Sequence, residues 1–143
     1  MIKRSPLDAS TSDLIRECAN WTCESCGTVD HDGQAKGKSW QMHCSHFFGR
    51  AIQATRWHLP NLTCLCAACH KELGDRPDEH KAWFSLHVGL DLFDEIRAKS
   101  RQVSKWPKHK KVEAKKHYDN EFKRIRALRM DGEQGYIRAV NFE

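Results

Sequence analysis

A chain of 143 residues suits one domain with appendages and falls short of two independent cores. With 39% hydrophobic and 30% charged residues, its core should be thin, and something besides burial is expected to help hold it together. The formal charge of +5 is unevenly placed: residues 97–129 carry thirteen Lys or Arg against three acids (Glu113, Asp119, Glu121), a net of +10 that leaves −5 elsewhere. That asymmetry points to a polyanionic partner, nucleic acid first, with a solvated helix face as the alternative. The N-terminal segment lacks the apolar stretch of a signal peptide, and no later run approaches the ~20 residues of a membrane span. A reducing cytoplasm is the expected setting.

Taken in chain order, Ser12 or Asp13 can cap a short helix through Leu14, Ile15 and Cys18, leading to a knuckle at Cys23-Glu24-Ser25-Cys26-Gly27. Residues 28–39 are Gly-rich and aperiodic, as in a loop. Residues 40–48 (WQMHCSHFF) predict a strand that turns at Gly49, and after Pro60 the position of Asn61 suits a loop or a second short strand. Cys66 to Leu73 reads as a second knuckle running into a helix that stops near Gly74.

The C-terminal half is expected to be helical. Pro77 opens a segment burying Trp83, Phe84 and Leu86, and Leu90, Leu92, Phe93 and Ile96 suggest another helix. A long helix from about Lys108 carries Val112, Tyr118, Phe122, Ile125 and Leu128 at helical spacing, its aromatic residues expected in the core. Residues 131–143 show no pattern.

Seven cysteines, Cys18, Cys23, Cys26, Cys44, Cys64, Cys66 and Cys69, form an odd set containing two Cys-x-x-Cys pairs. Paired knuckles separated by a few tens of residues fit a tetrahedral four-thiolate zinc site better than a disulfide framework or a thioredoxin-like redox motif, which needs a βαβ setting. Cys23, Cys26, Cys66 and Cys69 are therefore assigned to one structural zinc. Cys18, Cys44 and Cys64 are expected to be small buried hydrophobes, although Cys44 or Cys64 could replace one of the ligands.

His43, His46, Asn61 and His70 lie where that zinc would draw strand and helix together. The string Asn61-Leu62-x-x-Leu65-Cys66-x-x-Cys69-His70 resembles the end of the HNH nucleases, with His46 as the upstream histidine. Residues 46–61 (HFFGRAIQATRWHLPN), with Cys66 and Cys69, are similar to the phage recombination proteins of the NinG or Rap family. The paired knuckles resemble the zinc staple of phage endonuclease VII, a junction-resolving ββα-metal enzyme.

The resemblance implies a small α+β fold: a zinc-stapled ββα-metal (HNH) core over residues 1–76, a basic helical DNA-binding extension over 77–130 and a tail over 131–143. It makes His46 the general base, Asn61 the residue ordering the loop across the site, and His70 the helix ligand of a catalytic Mg²⁺ or Mn²⁺. Where many HNH enzymes carry an acid or histidine just before the base, this chain has Ser45, a poor ligand, so His43 or a water held by Ser45 is expected to complete the coordination. Arg50 and Arg56 resemble the family's arginines and suggest phosphate clamps. Lys108, Lys110, Lys111, Lys115 and Lys116 are expected on DNA phosphates, Trp57 in packing, and His31, His58, His80 and His87 in surface or core roles.

The implied function is metal-dependent DNA endonuclease activity, with branched recombination intermediates such as Holliday junctions as the suggested substrate. A homodimer would suit symmetric cutting, and the host cytoplasm would be the location if a phage encodes the chain. Two alternatives stay open: a zinc-ribbon DNA-binding accessory protein without cleavage, and an HNH enzyme that nicks duplex DNA.

Overall fold

Ser5 and Asp8 start the first helix. The Ser5 hydroxyl accepts from the Asp8 N–H at 3.2 Å and the Asp8 carboxylate accepts from the Ser5 N–H at 2.7 Å, a capping box with Pro6 in the first turn. Helix α1 thus spans Pro6–Cys18, and Ser12 and Asp13, expected as its caps, are buried inside it. The computed structural model describes residues 2–30 and 41–143. Most of the expected Gly-rich loop, with His31, Lys36 and Lys38, and the start of the expected strand at Trp40 lie outside the described residues.

After α1 the chain turns through Asn20 and Trp21, both at positive φ (53° and 54°), and enters a tight antiparallel bridge between Thr22 and Val29. Gly27, at φ 80°, makes the turn between the cysteines of this first knuckle and the returning segment.

Strand β1 (Met42–His46) pairs antiparallel with β2 (Leu62–Cys66), with Cys44 opposite Cys64 and His46 opposite Leu62. β1 is shorter than residues 40–48 because Phe47 and Phe48 leave the sheet for a separate aromatic cluster. There Phe47 stacks on Phe84 with ring centroids 4.5 Å apart. Between the strands lie a short helix α2 (Gln53–Arg56) and a single 3₁₀ turn (Leu59–Asn61) that holds Pro60.

Cys66 caps α3 (Ala67–Asp75), which is followed by α4 (Pro77–Val88), α5 (Leu90–Ser100) and α6 (Lys108–Met130). The described residues thus form a small α+β fold of six α-helices and one two-stranded antiparallel sheet. Phe84, Phe93 and Ile96 are buried as expected. Leu86 (76% exposed), Leu90 (64%) and Val112 (61%) are corrections to the expected apolar faces. α4 and α5 meet over Phe84 and Phe93, and that contact turns the other two leucines outward. No described helix is long and apolar enough to cross a membrane.

α6 packs along α1, placing Tyr118 and Ile125 in one core with Leu14, Trp21, Met42 and Leu65. Residues 131–143, patternless in sequence, close this core. The Ile137 N–H donates to Cys18 O at 2.9 Å, the Val140 N–H donates to Glu121 Oε1 at 2.7 Å, and Asn141 Oδ1 accepts from the Leu59 N–H at 2.9 Å. Residues from all three expected segments therefore share one apolar core.

Candidate metal centres and active-site cleft

The two knuckles meet. The sulfur atoms of Cys23, Cys26, Cys66 and Cys69 all lie within 4.8 Å of one another, and those of Cys26 and Cys66, forty residues apart, are separated by 3.8 Å. Ligands about 2.3 Å from one zinc at the corners of a tetrahedron would stand about 3.8 Å apart. In each knuckle the N–H of the second cysteine donates to the sulfur of the first at 3.5 Å, which suits thiolates. The Thr28 hydroxyl and N–H pull the Cys26 thiol down to about 6, while burial and then the neighbouring sulfurs of Cys66 and Cys26 push Cys69 up to about 12. Four crowded sulfurs cannot all ionise without a compensating cation, so the cluster can hold a metal such as zinc. Cys18 and Cys64 are buried and outside it, and burial raises both thiols well above the ordinary range. Cys44, half-buried, is also outside it.

By holding β2 and the start of α3 to the N-terminal knuckle, this cluster fixes His70 in the first turn of α3 beside β1. The Nδ1 atoms of His43 and His70 are 2.9 Å apart, with the rings in edge contact at 5.1 Å between centroids. Burial, then the neighbouring His43, lowers the pKa of His70. Ser45, two residues on along the same strand face, is 1% exposed.

His46 is on the opposite strand face, toward α1. Burial lowers its pKa to about 4; the Asp8 charge opposes that shift and the Arg50 charge adds to it. The Arg56 backbone also opposes the shift. At neutral pH the imidazole is thus uncharged, the form that can accept a proton.

Asn61 is fully buried and closes the loop that follows β1. Its Oδ1 accepts from the Phe48 N–H at 2.9 Å, and its Nδ2 donates to Phe48 O at 3.0 Å and Thr55 O at 3.1 Å. One amide thereby pins both ends of residues 48–55, the segment that carries Arg50 over the site.

His43, His46 and His70 line one cleft of about 580 Å³ with Arg4, Asp8, Ser12, Arg16, Cys44 and Arg50. Its lining comes from β1, the α1 region, the loop after β1 and the first turn of α3. Arg50 lines it as a clamp would. Arg56 does not line it: the side chain is 8% exposed, with Nε and Nη2 donating to Asp8 at 3.0 and 2.5 Å and Nη2 also to Lys3 O at 3.0 Å. Its guanidinium ties α1 to the loop. Trp57 packs as expected, 2% exposed, its Nε1 donating to Asp8 Oδ1 at 2.9 Å. Burial would raise the Asp8 carboxyl, but the bonds from Arg56 and Ser5 outweigh it and hold it at about 2.

The lysines of α6 are less free than their sequence implies. Asp119, one turn on, takes Lys115 at 2.6 Å, while Lys110 stands 4.1 Å from the centre of the Trp106 ring and Lys111 stands 5.6 Å from that of Trp57. Lys108 and Lys116 are exposed. The first turn of α6 has no acidic residue and no side-chain cap. His58 is half-buried against Asn141, His80 meets Phe47, and His87 bonds Glu24 at 2.8 Å, which raises its pKa.

Sequence reasoning missed the cleft face of α1, where Asp8, Ser12 and Arg16 recur every four residues, with Arg4 just before the helix. That spacing was the available signal. Comparison with family models, curated proteins and solved structures gives no match for this chain.

Proposed function

We propose that the chain is a divalent-cation-dependent DNA endonuclease of the HNH (ββα-metal) kind, hydrolysing phosphodiesters in the cleft along β1. One observation carries the reading: a convergent His43–His70 pair and an uncharged His46 share a cleft with Arg50, over a loop fixed by Asn61. Each residue type has a task in phosphodiester hydrolysis. His46 accepts the proton of the attacking water as its oxygen bonds to phosphorus and the bond to the leaving sugar oxygen breaks. Arg50 holds a phosphate oxygen, and Asn61 keeps Arg50 and the loop in position.

His43 and His70 fit the binding of a hydrated cation, two imidazole nitrogens leaving most of its coordination positions to water and substrate. When bound, such a cation stabilises charge on the scissile phosphate and leaving oxygen. An all-imidazole pair favours Mn²⁺ or later first-row ions over Mg²⁺, which prefers oxygen ligands. Branched DNA is the substrate class suggested by the likeness to NinG, Rap and endonuclease VII. The basic start of α6 would hold flanking phosphates, since lysines at a helix N-terminus oppose the helix dipole unless a polyanion lies over them.

The burial of Ser45, where many HNH enzymes have a ligand, favours a second reading: a zinc-stapled DNA-binding accessory protein without cleavage. Plasmid nicking in Mn²⁺, compared between wild type and His46→Ala with DNA binding measured in parallel, separates the two. Nicking lost in the variant with binding retained supports the nuclease; binding without nicking in either protein supports the accessory role.

A further inference from the structure

The cleft extends beyond the histidines along α1, and there it carries positive groups that the proposed chemistry does not use. Arg4, Ser12 and Arg16 line it together with Asp8. Asp8 is already committed to Arg56 and Trp57. Arg16 is 6% exposed; its Nη2 bonds Asp13 at 2.5 Å and its guanidinium lies 5.4 Å from the centre of the Trp21 ring, yet its buried Nε has no hydrogen-bond partner among the described residues. Arg50 Nη2 is likewise buried without a hydrogen bond, 3.6 Å from Asp8. Buried guanidinium N–H groups are seldom left unsatisfied, and two around one cleft call for an acceptor that enters from solvent.

The geometry points to a second phosphate subsite on α1, in which Arg16, with the Ser12 hydroxyl one turn before it, holds a DNA backbone phosphate away from the scissile one. This rests on the cleft being the DNA site. At 1.5 Å rise per residue, Arg16 lies about 12 Å along the helix from Asp8, the residue whose charge acts on His46. That exceeds the spacing of adjacent phosphates, so the subsite takes a phosphate more than one nucleotide from the bond cut beside His46. Its effect is to set the path of the strand through the cleft.

Binding of oligothymidylates of increasing length, without added divalent cation, tests the assignment independently of sequence register. Wild-type affinity should step up by about tenfold at the length that first reaches the subsite, the scale of one charge-assisted phosphate contact. A neutral methylphosphonate at the terminal linkage of that length should remove the step. Ser12→Ala, and Arg16→Lys, which keeps the charge but not the fork of donors, are the variants. Loss of the step in either, with shorter oligonucleotides bound as by wild type, upholds the subsite; a step that persists in both overturns it. Cleavage of plasmid DNA in Mn²⁺ is read on the same preparations. A step without cleavage refutes the nuclease and leaves the subsite standing, whereas cleavage without a step refutes the subsite alone.

Discussion

His43 Nδ1, on strand β1, lies 2.9 Å from His70 Nδ1 in the first turn of α3. Two imidazole nitrogens this close share one proton or one cation, and ligands about 2.0–2.1 Å from a single ion at right angles would be separated by about 2.9 Å. His43→Ala and His70→Ala should each raise the Mn²⁺ concentration for half-maximal cleavage by at least about tenfold, the range seen when a coordination partner is removed, with the thermal midpoint little changed. Cation titration of activity checks this, and an unaltered titration in both variants would remove the pair from the metal site.

The four-cysteine cluster closes a loop of forty residues between Cys26 and Cys66, and the apolar core beside it is small. Purified protein should contain about one tightly bound zinc, and Cys66→Ser should lose both the metal and cooperative unfolding. Metal analysis with thermal melts reads both. Full zinc retention in Cys66→Ser would contradict the assignment.

Asp8 gathers Arg56, Trp57 and the Ser5 cap at one buried carboxylate. Asp8→Asn leaves a buried guanidinium without its counter-charge and should cost about 3–5 kcal/mol, measured by urea unfolding. Its pKa, lowered from 3.8 to about 2, gives stability that is full above 3.8 and lost as pH falls through 2. His46 and His58 act in a higher window. Burial lowers both from 6.5 to about 4, so the unfolded chain takes up protons first and stability falls as pH drops from 6.5 toward 4. His58→Gln should lessen the fall of the urea midpoint between pH 6.5 and 4 without abolishing it, since His46 still titrates there, and should leave the fall below 3.8 unchanged.

At the start of α6, replacing Lys110, Lys111, Lys115 and Lys116 with Gln should weaken DNA binding across sequences and reduce the slope of log K against log salt by ~0.9 per lost phosphate contact. Turnover at saturating DNA should stay near wild type. Lys115→Gln alone should change the slope least, because Asp119 already neutralises that lysine. Substitution of Lys36 and Lys38 serves as the comparison. An unchanged slope in the fourfold variant would make these lysines a solvated face.

What the sequence made legible was local. Cysteine spacing located the four-sulfur cluster, and helical periodicity located Tyr118, Phe122 and Ile125 in the core. The start of α1 was misread because Ser12 and Asp13 look like caps, whereas Ser5-Pro6-x-Asp8 makes a complete capping box further back. Arg56 reads as a phosphate clamp beside Trp57, but its acceptor is Asp8, forty-eight residues earlier, and no pattern near Arg56 announces that pair. The role of the tail was hidden for the same reason, since Asn141 bonds Leu59 across eighty-two residues.

Cleavage of a synthetic four-way junction beside a matched linear duplex, in Mn²⁺, Mg²⁺ and chelator, tests the nuclease reading most directly, with His46→Ala in parallel. Zinc-loaded wild type should incise DNA only with a divalent cation, better in Mn²⁺ than in Mg²⁺, and with the junction preferred if the substrate class is right. His46→Ala should bind the same DNA and unfold at the same temperature, yet cut ~10²–10⁴-fold more slowly, the range for loss of a general base. Incision by His46→Ala at the wild-type rate, or no incision of either DNA by a zinc-loaded wild type that binds both, would contradict the account.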